Sequence, residues 1–474
     1  MDRVRFHMFT VATLFVLLVG FYILLSPSLK DVRVAIGLPE KLPGSRYNED
    51  INGVEIVNEG FDNFYLGRVA FVYHSVFILF LYASVTIFGA LYLRDQIQRI
   101  VLDLSCIAAI IVAVSAVLYN YGGRDFFWHG TFLAGLSLFF FVGILILLNF
   151  KPKNLLEWNI WLSGVLLLIG GVWGAWLGAS FMHFRDEYIE ALIKSRFNPD
   201  LAEENIFWRA LTSHEHAMIA IALTLVFLLA LSIAGVEEDA VFMKLFTAKR
   251  LYYLALIGQL VMAIAAYAVT FVGKIAHLII TPAAMLLIFA TLLLSIIAKK
   301  DSFLRVALIV GNVAMWVAVA LPGAIVAINL RKAVFLPLPF RDPLYDWAEL
   351  AYNVGHWHLL LFSWGVILLI IYMYWPENFL EKYTYVKWIS WLVLIAYFVA
   401  MVGTNLYMLA NPPMEYVPNP YDNVWVKFIM EPSLIVITIG VAISYLIYLY
   451  EYGITILKSI PKILKVLPSK NCCG

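Results

Sequence analysis

Twelve runs of about 20 apolar residues constrain this chain more than any other feature, because a helix of that length crosses the hydrocarbon of a bilayer. They lie near residues 9 to 25, 67 to 93, 100 to 119, 126 to 149, 157 to 181, 211 to 235, 251 to 272, 276 to 298, 303 to 330, 351 to 375, 386 to 410 and 432 to 451, separated by charges, prolines or asparagines. In lipid the backbone must satisfy its own hydrogen bonds, so each run is read as a helix. Of 474 residues 63% are hydrophobic and 14% charged, too little polar surface for a water-soluble fold. The expected fold class is an all-α integral membrane protein of about twelve transmembrane helices. It forms a single polytopic domain over residues 1–474. The first run follows Arg3, Arg5 and His7 and is read as a retained helix, since Ser26-Pro27-Ser28 makes a poor cleavage site.

Orientation follows from the positive-inside rule. With the N- and C-termini inside, the inner segments hold Arg94, Arg99, Lys151, Lys153, Lys244, Lys249, Arg250, Lys299 and Lys300. The inner C-terminal tail, 452–474, adds Lys458, Lys462, Lys465 and Lys470. The longer outer segments, 26–66, 182–210, 331–350 and 411–431, are rich in acids and prolines and have the character of a docking surface. Lysine and arginine total 33 against 32 acidic residues, a net charge of +1 that argues against a nucleic-acid partner. Three cysteines, Cys106, Cys472 and Cys473, build neither a disulfide framework nor a four-cysteine metal site.

Chemistry is concentrated in the nine histidines. His7 lies inside. His74, His129, His214, His216, His277, His356 and His358 all fall within the first turns of helices that run inward, roughly 5 to 10 Å below the outer surface. A lone imidazole at a helix start is ordinarily an interface residue. Seven in one layer point instead to ligands, because imidazole is the usual donor to haem iron and transition metals. In Gly355-His356-Trp357-His358 the two rings are about 200° apart around a helix, suited to two haems on opposite faces rather than to one metal. His74 matches His358 in depth. Ser213-His214-Glu215-His216 has the same two-faced geometry. There is no His-Glu-x-x-His, phosphate loop, Gly-x-Ser-x-Gly elbow or Cys-x-x-Cys-His, so any haem is held non-covalently. No charged residue stands near the middle of a run. Gln259, Asn312 and Asn405 are the strongest mid-membrane polar groups and read as helix-packing glue.

The twelve-helix plan, with a histidine high in the second helix and a His-x-His high in the tenth, resembles the haem-copper oxidase and nitric oxide reductase superfamily. The resemblance implies that His74 and His358 are the axial pair of a low-spin haem and that His356 ligates a second haem. It places His214 and His277 where that family holds a non-haem metal, with His216 and His129 as further candidate metal ligands. Departures weigh against oxygen chemistry: Met218 stands where the family has tyrosine, and a histidine pair is reduced to His277. Arg331, Lys332 and Arg341 would have to meet haem propionates in place of an arginine pair. A frame that keeps haem ligands without oxygen chemistry also resembles the hydrophobic subunit of archaeal b-type cytochrome complexes. That implies b-type haem, an outer-face cytochrome or other redox partner, exchange with quinone, and residence in the plasma membrane. The expected function is therefore a haem-bearing subunit of a respiratory electron-transfer complex. A divergent terminal reductase and a transporter or cofactor-free anchor stand as alternatives.

Overall fold

The computed structural model describes residues 2–25, 29–40, 71–122, 126–183, 206–299, 303–335, 360–361, 363–375, 378–403 and 431–466. Among them, eleven helices are long and apolar enough to cross a membrane, and a shorter apolar helix accompanies them. In chain order the helices are α1 (Asp2–Ile23), α2 (Lys30–Ala35), α3 (Tyr73–Tyr92), α4 (Asp95–Gly122), α5 (Phe126–Asn149), α6 (Leu155–His183) and α7 (Ile206–Ala234). After a small hairpin of β1 (Val241–Met243) and β2 (Phe246–Thr247) come α8 (Ala248–Val272), α9 (His277–Ile296) and α10 (Phe303–Phe335). The remainder are α11 (Ser363–Tyr374), α12 (Phe379–Lys382), α13 (Thr384–Phe398) and α14 (Glu431–Val466). The chain is a multi-pass, all-helical membrane protein. The tenth apolar run is described only from Leu360 onward, where it forms α11.

Helix boundaries follow local chemistry. Asn154 caps α6 by accepting from Glu157 N at 2.9 Å, while the Glu157 carboxylate accepts from Lys153 N at 2.7 Å, a reciprocal capping box. Thr247 Oγ1 accepts from Arg250 N at the start of α8. Gly235 follows α7 and Gly273 follows α8, with φ of 72° and 64°; side chains disfavour that left-handed turn and glycine adopts it freely.

Three helices form the centre. The spanning window of α7 is 72% buried and that of α3 67%, against 22% for α5 and for α6. α7 touches α3, α6, α8, α9 and α10. In α11 the side chains of Ile367, Leu368, Ile371, Tyr372 and Met373 are fully buried. Trp364 of α11 donates its indole N–H to Ser84 Oγ of α3 at 3.3 Å, its ring 5.0 Å from Phe77. With lipid as apolar as leucine, such packing and hydrogen bonds between helices, rather than a hydrophobic drive, hold the bundle. Gln259 Nε2 of α8 accordingly donates to Ser163 Oγ of α6, and Thr291 of α9 bonds to Asn312 of α10. Asn405 lies outside the described residues.

Contacts between successive helix ends separate two rims. At the charged rim Arg3 and His7 of α1 meet Asp103 of α4, and His7 Nδ1 lies 2.7 Å from Tyr82 OH. Glu238 accepts from Leu155 N, Lys299 pairs with Glu237, and Lys382 pairs with Glu451. At the opposite rim Tyr121 OH donates to the Phe21 carbonyl at 2.5 Å, and Tyr22 bonds to Ser75.

Candidate functional site

All five candidate histidines within the described residues sit toward the second rim. His74 is in the first turn of α3, His129 in the first turn of α5, His214 and His216 in the third turn of α7, and His277 opens α9. His356 and His358 lie outside the described residues, as does the side chain of His183.

One imidazole pair joins the two central helices. The rings of His74 and His214 have centroids 6.2 Å apart and planes 19° apart. That is too far for face-to-face contact. It is the separation expected of two imidazoles on opposite sides of one metal ion, at about 2.0 Å per bond and about 1.1 Å from nitrogen to ring centre. His214 is held from behind by α6. Its Nδ1 is buried with no hydrogen-bond partner. A Cβ at Gly174 would stand 2.7 Å from Cε1 and 3.1 Å from Nε2 of this ring, so only glycine leaves it room. Two imidazole donors from separate helices, one with an orphaned nitrogen, form a donor set that fits a haem iron.

The second pair faces the other side of α7. The rings of His216 and His277 are 5.2 Å apart and nearly perpendicular. His216 Nδ1 lies 2.8 Å from the Thr212 carbonyl, to which it donates, which leaves its lone pair on Nε2. Both residues, with Glu215, line a cavity of about 100 Å³ enclosed by α7, α8, α9 and α10. Glu215 Oε2 is shut off from solvent and has no hydrogen-bond partner.

His129 joins neither pair. Its ring packs edge-on to Phe71 at 5.5 Å and Tyr119 at 6.4 Å, the former lying flat on the latter at 3.9 Å. Among the described residues no three of His, Cys, Asp and Glu come together closely enough to hold one metal ion. The pairing of His74 with His214, the cradle at Gly174 and the cavity beside Glu215 are not apparent from helix depth. A signal for the cradle was nevertheless present: Gly170, Gly174 and Gly178 form Gly-x-x-x-Gly-x-x-x-Gly, the pattern that lets a neighbouring helix approach closely. Met218 occupies the space that Gly170 leaves, a Cβ there colliding with its sulfur. Arg209, five residues before His214, donates to the Phe271 carbonyl through Nη1 at 3.4 Å and buries an unpartnered Nε at the same rim.

Compared with known proteins, the chain matches no family model, no curated protein and no solved structure.

Proposed function

We propose that this chain is the haem-bearing membrane subunit of a respiratory electron-transfer complex in the plasma membrane, exchanging electrons between quinone and an outer-face cytochrome or similar redox subunit. The observation that carries this reading is the His74–His214 pair, which links the two most buried spanning helices at a metal-ligating separation. A haem of b type held there would supply reversible storage of one electron. The chain's own residues do the rest. His74 and His214 would bind it from α3 and α7, Gly174 makes space for the His214 ring, and the packed centre of the bundle excludes water. The histidine rim faces outward, the charged rim and both termini face inward, and the acid-rich outer segments dock the partner.

The resemblance to the oxidase frame gives His74 a different partner, His358. Depth favours His358, whereas the 6.2 Å between the rings favours His214, and we take His214 as the partner of His74; His356 and His358 lie outside the described residues. Bis-imidazole iron exchanges electrons without binding gas. The test is a pyridine haemochrome assay and reduced-minus-oxidised spectra of the purified chain, before and after carbon monoxide. A b-type spectrum unmoved by carbon monoxide is expected. A carbon monoxide shift would indicate an open iron and a reductase, and the absence of haem in membranes and purified protein alike would overturn the reading.

A further inference from the structure

The cavity on the far side of α7 has no part in holding the haem, and its shape and polarity are selective. Its volume of about 100 Å³ is of the order of an engineered cavity of about 150 Å³ that takes benzene, so it admits one six-membered ring and excludes a porphyrin. The walls are apolar, with Ile219, Phe227, Met262, Leu287 and Met315 among them. Deeper in the lining the polar groups are taken up by the protein, Thr224 donating to the Ala220 carbonyl and Thr291 bonding to Asn312, whereas at the rim end Glu215 Oε2 lacks a partner. A ligand suited to these walls is an apolar ring that donates hydrogen bonds at one end. A charged solute finds no compensating cation among the lining residues, and a fatty chain brings no donor.

We infer that this cavity binds the ring of a membrane-soluble hydroquinone, one ring O–H donating to a carboxyl oxygen of Glu215 and His277 closing the same end. From Glu215 to Phe227 the lining runs twelve residues along α7, roughly 18 Å, longer than the ring, so an alkyl or isoprenoid tail continues between the walls. The inference rests on the electron-transfer reading for the purpose of the bound ring. His214 and His216, on opposite faces of one helix, then set the ring and the haem about one helix diameter apart, roughly 10 Å.

The experiment is photolabelling of the full chain in phosphatidylcholine nanodiscs with an azido-benzoquinone, competed by decyl-benzohydroquinone and mapped by peptide mass spectrometry, with haem content and thermal unfolding measured on the same samples. Competable label on α7 and α9 is expected. Glu215→Leu should weaken competition by the hydroquinone about tenfold, the loss of one hydrogen bond. Ala284→Phe, which fills the cavity, should abolish the label while haem content is unchanged. Label confined to other helices, label that decyl-benzohydroquinone fails to displace, or label and competition unchanged in both variants overturns the inference. Competable cavity label on a chain without haem upholds the site and overturns the haem reading alone; haem without cavity label does the reverse.

Discussion

Gly174 is the residue at which the account is most exposed. Gly174→Ala places a methyl 2.7 Å from the His214 ring and must displace it or push α6 from α7, at a cost of about 1–3 kcal/mol. The expected result is a lowered unfolding temperature together with loss of one low-spin haem. Gly178→Ala, one turn on, meets nothing within 4 Å and should leave both readouts unchanged. Thermal unfolding and reduced-minus-oxidised spectra of the two variants make the comparison. His214→Leu should likewise remove a haem, whereas His129→Leu, whose ring packs edge-on to Phe71 and Tyr119, should remove none. The sequence showed the depth of each histidine because depth follows from position along an apolar run. It did not show pairing, because pairing depends on how each helix is rotated, and His74 and His214 are 140 residues apart.

At the scale of the helix, rotation was illegible for a physical reason. A spanning helix is apolar on the face it turns to lipid and on the face it turns to its neighbours, so hydropathy marks its ends and not its sides. Thus α5 and α7 both satisfy the hydropathy criterion, yet one is 22% and the other 72% buried. The polar residues did carry information: Gln259 and Asn312 each bond across to another helix, as packing glue should. Gln259→Leu should remove the link between α8 and α6 and destabilise by about 0.6 kcal/mol, the mean for such bonds in membranes, without change in haem content. A denaturation series in mixed micelles checks the first part and the haemochrome assay the second. A loss of haem in that variant would mean that the cradle of His214 depends on the α6–α8 contact as well as on Gly174.

For the whole molecule, the layering of five candidate histidines at one rim of the described residues is the legible feature, since depth runs with helix direction. If the charged rim is inner, Cys472 and Cys473 in the tail react with a membrane-impermeant maleimide only in inside-out vesicles, measured in a Cys106→Ala background. Labelling of right-side-out cells would reverse the orientation and place the His74–His214 pair toward the cytoplasm. The central claim is that His74 holds a haem, and the most direct measurement is haem per chain in wild type and His74→Leu at matched fold stability. The account predicts a loss of one haem per chain and of a low-spin signal in the variant. An unchanged haem count and spectrum would contradict it.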